Sequence, residues 1–263
     1  VVRYALAEPN AAPMTGTGTT EHVSALAPFG NRAFKWLWIG VVISSVGAWA
    51  QMVGAQWLFI SDPNAATIVA LVQTASVLPM LLFGLAAGAL ADAFDRRRLL
   101  LFVQLYSGTV AIILAVLTWL DRMPPLLLLA FTFLIGAGTA MQVPTWQPLI
   151  TELVPRSQIA QATRLDMVSV NVARAVGPAI AGLIIAAWGV PLVFLLTAVS
   201  ALFLIGALLA WRRPDESPRA RERFLPALRA GGRYVRHEPV VRLILGRLAV
   251  FVIPGTAMWT LLP

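Results

Sequence analysis

The chain has 263 residues, of which 59% are hydrophobic and 12% are charged, and it contains no cysteine. Soluble domains average about 45–50% apolar and about 25% charged residues, so the composition excludes a water-soluble globular protein. The lack of cysteine excludes disulfides and a cysteine nucleophile. The net charge of +8 comes from Lys and Arg between long apolar segments. We therefore interpret these residues as membrane topology signals and expect no nucleic-acid partner.

Residues 1–33 precede the first apolar segment and are predicted to form a flexible cytoplasmic tail. The first 28 of them are rich in Ala, Thr, Gly and Pro and contain no continuous apolar region. This pattern is unlike a cleaved signal peptide. The first apolar segment is therefore expected to begin with an uncleaved helix.

Six apolar segments and the start of a seventh follow the tail. A bilayer core about 30 Å thick is crossed by about 20 apolar residues in a helix, whereas a barrel strand needs only about 9–11 residues of alternating polarity. We predict an all-α membrane protein with a six-helix transmembrane bundle over residues 34–211. The segments are Phe34–Ile60, Ala65–Ala91, Leu99–Leu120, Leu126–Val143, Ile159–Trp188, Pro191–Trp211 and Val240 to the end.

The distribution of Lys and Arg predicts the orientation of this bundle. Fifteen of them fall on the side of the N-terminal tail, and only Arg122 falls on the other side. The positive-inside rule then places the N-terminus in the cytoplasm of a multi-pass protein of the cell inner membrane or plasma membrane. Residues 212–239 become a basic cytoplasmic linker, either a surface helix on anionic lipid headgroups or a solvated connection.

A motif of small and charged residues closes the second apolar segment. Gly88 permits close helix approach, and the arginines that follow can pair with Asp92 or with lipid phosphate. The motif resembles the cytoplasmic signature of the major facilitator superfamily, Gly-x-Leu-x-Asp-Arg-x-Gly-Arg-Lys, which implies an inner gate. The alternative is a topology signal alone. The motif consists of Gly88, Leu90, Asp92, Arg96 and Arg97, and Ala93 and Asp95 depart from the pattern.

Residues 143–156 and 171–182 carry a second resemblance. They are similar to the branch of that superfamily that contains drug and siderophore efflux proteins, among them the enterobactin exporter. The similarity runs from about Phe29 to the last residue. It implies a secondary active transporter in which two six-helix halves export a small amphipathic molecule by alternating access. We therefore expect the chain to be a fragment with a missing C-terminal half, and residues 240–263 to be the first helix of that second bundle.

The fifth segment contains a Gly-Pro-x-x-x-Gly element that resembles the superfamily's antiporter signature. Gly177 and Gly182 thin the helix, and Pro178 frees a backbone carbonyl, so we expect a hinge and packing site. Thr132 occupies the position of the arginine in the helix-four signature. A mechanism that couples transport to an ion through that arginine is therefore not expected.

A stripe of small and polar residues follows one face of helix one. Either it lines a cavity in which Gln51 contacts the substrate, or it is a packing seam, which small residues favour in membrane helices. Trp49 lies off this face and is a weaker candidate for the substrate path. The stripe consists of Gly40, Ser44, Gly47, Gln51 and Gly54.

Polar residues of helix five are the other candidates for the substrate path. Asn171 and Arg174 share a face, and an arginine deep in a bilayer must face protein or water. Arg174 is either an anchor on backbone carbonyls or polar groups of helices two and four, or a binder of an anionic substrate. Asp166, about 12 Å along the axis from Arg174, is too distant to pair with it. Proton coupling then depends on Asp166 or on the missing half.

Catalytic chemistry is not indicated. The two histidines, His22 and His237, lie in the tail and the linker, and the sequence contains no metalloprotease motif or phosphate loop. We predict no enzyme activity, no cofactor and no metal site. Two functions remain, an exporter whose partners are the bilayer, a small molecule and the missing half, or a non-transporting membrane scaffold derived from a transporter half.

Overall fold

The computed structural model describes residues 24–211 together with the helical positions Leu243, Arg247 and Val250. In this part of the chain there are six long α-helices and no strand, and each helix is long and apolar enough to cross a membrane. The all-α, six-helix membrane fold is thereby confirmed. The helices are α1 (Arg32–Trp57), α2 (Ala65–Ala93), α3 (Arg96–Trp119), α4 (Pro125–Leu153), α5 (Ile159–Trp188) and α6 (Val190–Ala210).

Three predicted segments extend beyond this description. The tail is described only from residue 24, the linker over residues 212–239 lies outside the described residues, and the seventh helix is described only at its three helical positions. Two short 3-10 helices complete the described part of the chain. They are Ala27–Gly30, before α1, and Arg156–Gln158, before α5.

Helix α4 continues ten residues beyond the predicted end of its apolar segment. The expected end at Val143 is wrong, because the helix continues through Pro144 and Pro148 to Leu153. An interior proline removes a backbone hydrogen bond and costs about 3 kcal/mol in a water-exposed helix. Here the extra turns bury a cluster of side chains, and membrane helices tolerate proline where neighbouring groups satisfy the freed carbonyl. The buried side chains are Trp146, Leu149, Ile150 and Leu153.

The helices pack in the spatial order α5, α1, α6, α3, α4, α2. Successive members of this order make the most extensive contacts, whereas contacts between other pairs are slight. Helices α2 and α5 stand at its two ends and bury the smallest share of their apolar residues. One face of each is therefore left uncovered by the described residues.

The two larger apolar cores of the described bundle lie one towards each end, and a smaller cluster around Ala50, Ala181 and Val193 joins α1, α5 and α6. The first lies at the end where α1, α3 and α5 begin, which we call the basic end because Arg32, Lys35 and Arg96 lie there. The second lies at the opposite end, around Phe194 and Leu128. Between these cores, the same helices bury polar side chains, which include Gln51, Gln104 and Ser169.

Candidate functional site

The glycines of the helix-one stripe pack against α6. A Cβ on Gly40 would lie 3.1 Å from the Cα of Leu204, and one on Gly47 would overlap the hydroxyl of Ser200. Gly54 faces the same helix. These contacts describe a close helix-helix seam, in which the absence of side chains lets the two backbones approach.

Gln51 is enclosed by the bundle rather than displayed on a surface. Its side chain is 4% exposed, and its Oε1 atom accepts no hydrogen bond from a described residue. Two turns earlier, Ser44 donates to Gln104 Oε1 at 3.4 Å, and Gln104 Nε2 donates to Gln142 Oε1 at 2.9 Å. These hydrogen bonds join α1, α3 and α4. The sequence did not predict them, because they depend on which helices are neighbours.

At the basic end the two arginines of the signature motif contact neighbouring helices. Arg96 forms an ion pair with Glu152 of α4. Arg97 donates from Nε to the carbonyl of Leu208 at 2.7 Å and from Nη2 to that of Leu209 at 3.1 Å. A cation on the last carbonyls of α6 is favourable because the helix dipole is negative there. The motif therefore ties α3 to α4 and α6.

The pairing expected between these arginines and Asp92 is not seen. Asp92 is exposed and forms no hydrogen bond or ion pair in the described part of the chain, and Leu90 is half-buried. Asp95 caps a helix instead, accepting from the backbone N–H of Arg98 at 2.9 Å. A Cβ on Gly88 would meet nothing within 4 Å, so the expected close approach is also absent there. The physical reason is the extension of α4, which brings Glu152 to Arg96.

Asp166 is buried between α4 and α5 and is 6% exposed. Trp146 Nε1 donates to its Oδ1 at 2.8 Å, and Gln147 Nε2 donates to its Oδ2 at 3.1 Å. Trp38 of α1 donates to the carbonyl of the preceding residue, Leu165, at 3.0 Å. The carboxylate is thus held by two neutral donors at the junction of three helices.

The structure brings two of the four substrate-path candidates, Arg174 and Trp49, into contact. The guanidinium carbon of Arg174 lies 5.1 Å from the ring centroid of Trp49, a cation–π contact between α5 and α1. Asn171, one turn away, is exposed and donates to the carbonyl of Met167 at 2.8 Å. Gln51 is buried and does not join them. The expected anchors of Arg174 on carbonyls, α2 or α4 are not seen among the described residues.

The two glycines of the helix-five element have different surroundings. A Cβ on Gly177 would lie 2.6 Å from the Cβ of Trp49 and 3.1 Å from the carbonyl oxygen of Val46. A Cβ on Gly182 would meet nothing within 4 Å. Close packing of α5 on α1 is therefore seen at Gly177 and not at Gly182, while the hinge at Pro178 stays a prediction.

The chemistry available in these places is that of binding. Both histidines of the sequence lie outside the described residues, and the described acidic side chains form no group of three that could hold a metal ion. What the bundle offers is a hydrogen-bonded carboxylate, a guanidinium over a tryptophan ring, and the exposed amides of Asn171 and Gln147. Such groups can recognise and orient a solute.

Comparison with known proteins places these features in context. The family described as transmembrane secretion effector matches residues 23–263. The staphyloferrin A transporter of Staphylococcus aureus (strain NCTC 8325 / PS 47) is 30% identical over 166 residues, which cover 63% of this chain and 42% of that protein. Macrolide efflux protein A of Streptococcus pyogenes is 22% identical over 67% of this chain and 42% of its own length.

A third relative is the multidrug efflux pump Tap of Mycobacterium bovis (strain BCG / Pasteur 1173P2). It is 26% identical over 154 residues, which cover 56% of this chain and 36% of the pump. The chain therefore spans less than half the length of these three relatives. The names of all three describe transport or efflux.

Proposed function

The chain belongs to the transmembrane secretion effector family of the major facilitator superfamily, and we propose that it is part of a secondary active exporter of small amphipathic molecules. Proteins of this family are membrane transporters rather than enzymes. The observation that carries the proposal is the exposed Arg174 in the middle of a membrane-length helix. A charge at that depth is stable only beside water or protein, and a transport path supplies both.

A second bundle is the natural cover for the open faces of α2 and α5. The aligned regions span 36–42% of the three relatives, and α2 and α5 are the least buried helices of the described bundle. Two halves that rock against each other would enclose a path along Arg174 and Asn171 and open it to either side in turn. The substrate path and alternating access are therefore proposed to involve both halves.

We propose that the basic end faces the cytoplasm of the inner membrane or plasma membrane. Positive charge at this end, including Arg32, Arg98 and Arg156, supports that orientation. The same end would form the inner gate. Arg96 and Arg97 are already engaged by α4 and α6, which leaves exposed Asp92 to contact the second half.

Asp166 is our candidate for proton coupling, with a group in the second half as the alternative. The deprotonated carboxylate accepts from both Trp146 and Gln147. Protonation converts one oxygen into a hydroxyl donor, so one of these N–H groups loses its best acceptor. The contact between α4 and α5 would then loosen each time a proton binds.

Reconstitution tests the proposal. The full-length protein, placed in proteoliposomes with an imposed proton gradient, should move members of a panel of dyes and siderophores in a gradient-dependent manner. Asp166→Asn, which keeps the side-chain volume, should abolish the gradient dependence. The control is Asp121→Asn, because Asp121 lies in an exposed turn with φ of 53°, a conformation that asparagine also adopts.

The possible outcomes separate the parts of the proposal. Absence of flux from the wild-type protein for every compound would contradict export. Flux that stays coupled in Asp166→Asn would assign coupling to another group and leave the transporter function intact.

A further inference from the structure

Arg174 lies at the middle of α5, and Trp49 lies about two thirds of the way along α1. At 1.5 Å per residue, Arg174 is about 22 Å from the start of α5, and Trp49 is about 26 Å from the start of α1. Both helices begin at the basic end and are long enough to cross a bilayer. The cation–π pair therefore lies well inside the membrane-spanning length of both helices, where an unneutralised charge is expensive.

The described residues provide Arg174 with no acidic partner. Its guanidinium contacts the Trp49 ring and forms no hydrogen bond or ion pair within the described part of the chain. Asp166 accepts from Trp146 and Gln147 instead. The other described carboxylates lie at the two ends of the bundle, in the last turns of α2 and α4 and in the segments between helices. They are Asp62, Asp92, Asp95, Asp121 and Glu152.

The N–H donors of Arg174 are available to a further group. A guanidinium carries five of them in a planar fork, and none donates a hydrogen bond to another described residue. A planar fork of this kind matches the two oxygens of a carboxylate. Asn171 uses one amide N–H on Met167 and keeps its second N–H and its carbonyl oxygen for another group.

We propose that Arg174, Asn171 and Trp49 form a recognition site for a carboxylate group of the transported molecule. Arg174 binds the two carboxylate oxygens, Asn171 donates a further hydrogen bond, and the Trp49 ring orients the guanidinium and packs against an apolar part of the same molecule. The inference rests on the proposed transport function, because it names the substrate class of that path. It predicts a preference for amphipathic carboxylates over cations of similar shape.

The competing explanation is an ion pair between Arg174 and an acidic residue elsewhere in the full-length protein. The two explanations differ in the local electrostatic potential. An open anion site attracts small anions, whereas a neutralised arginine does not.

The chain has no cysteine, so a single thiol can report that potential. Asn171→Cys in the full-length protein, with any cysteine outside this chain replaced by serine, is treated with anionic sulfonatoethyl and cationic trimethylammonioethyl methanethiosulfonate. The ratio of the anionic to the cationic rate should be high and should fall about tenfold on Arg174→Gln, as expected for one unit charge a turn away in a partly hydrated site. Arg174→Lys should keep the ratio.

Ser61→Cys is the matched control, because Ser61 is exposed in the turn between α1 and α2. Its rate ratio should not respond to Arg174→Gln. If Arg174→Gln fails to accumulate in the membrane, the ratio at Asn171→Cys relative to Ser61→Cys, with Arg174 intact, decides the question. A ratio no higher than at Ser61→Cys, or a thiol inert to both reagents, overturns the site.

Substrate class is tested with two dyes of one ring system, the carboxylate fluorescein and a cationic rhodamine ester. Binding to the purified protein is followed by fluorescence anisotropy. Arg174→Gln should weaken fluorescein binding about tenfold or more and change rhodamine binding by less than about threefold. Equal losses for both dyes, or no fluorescein binding by wild type at millimolar concentration, would reject a carboxylate site. Transport by the wild-type protein is measured separately, so failure of export and failure of this site are distinguishable.

Discussion

Arg96 of α3 and Glu152 of α4 form an ion pair between the first turn of one helix and the last turn of the next. Their side chains are 20% and 7% exposed, so the pair is shielded from most of the solvent. Shielding makes a charged group costly when its partner is removed. The pair therefore fixes how α4 ends against α3 at the basic end.

Breaking this pair should destabilise the full-length protein. Glu152→Gln and Arg96→Gln each remove one charge of the partly buried pair and should lower the free energy of unfolding by about 1–3 kcal/mol. The exchange of both residues, Arg96→Glu with Glu152→Arg, should recover part of the loss. Thermal unfolding in detergent measures these differences. Single variants as stable as the wild type would show that the pair contributes nothing.

Two neighbouring aspartates should have separable effects. Asp95→Ala removes the cap of α3 and should cost about 1 kcal/mol of stability. Asp92→Asn removes an exposed charge with no described partner, so membrane level and stability should stay near normal while transport falls. The measurements are membrane abundance, thermal unfolding and flux by the full-length protein. Normal transport by Asp92→Asn would reduce the motif to a topology signal.

Gly177 and Gly182 offer a matched pair of substitutions. Gly177→Ala places a methyl group 2.6 Å from the Trp49 Cβ and against the α1 backbone, which cannot yield as a flexible side chain can. We expect a loss of about 1–3 kcal/mol, as for overpacking of a core. Gly182→Ala meets open space and should be tolerated. Equal stability of the two variants, measured by thermal unfolding, would argue against close packing of α1 on α5.

Orientation can be checked with single cysteines. Ser61→Cys and Asp121→Cys should react with an impermeant thiol reagent added outside the cell, because both positions lie in turns at the end opposite the basic one. Arg98→Cys should not react until the membrane is permeabilised. Arg98 is preferable to Arg97 because the Arg97 side chain caps α6. The reverse labelling would invert the assignment.

The 263-residue chain by itself should not transport. Asn171 and Arg174 would face lipid without a second bundle, and unsatisfied polar groups in hydrocarbon cost several kcal/mol each. We expect no gradient-dependent flux in proteoliposomes and recovery of flux when the rest of the protein is co-expressed. Flux from the monomeric chain would refute the two-half proposal.

For the described residues, the sequence by itself determined the number, type and approximate bounds of the six long helices. Helix α5 has the predicted bounds, Ile159–Trp188, because the length of an apolar segment is a local property that the bilayer thickness converts directly into a helix. Local pattern failed at α4. There the two prolines signal a helix end, but burial of Trp146 and Leu153 in the bundle outweighs that signal.

Only the tertiary structure decided which polar side chains meet. Asp92 and Arg96 are neighbours in the chain, yet Arg96 pairs with Glu152, 56 residues away. Arg174 reaches the Trp49 ring because Gly177 lets α5 approach α1. The length of an apolar segment predicts that a helix spans the membrane but does not predict which helices pack against it. Close contacts of small residues and interhelical hydrogen bonds determine the neighbours, and both depend on the whole packed bundle.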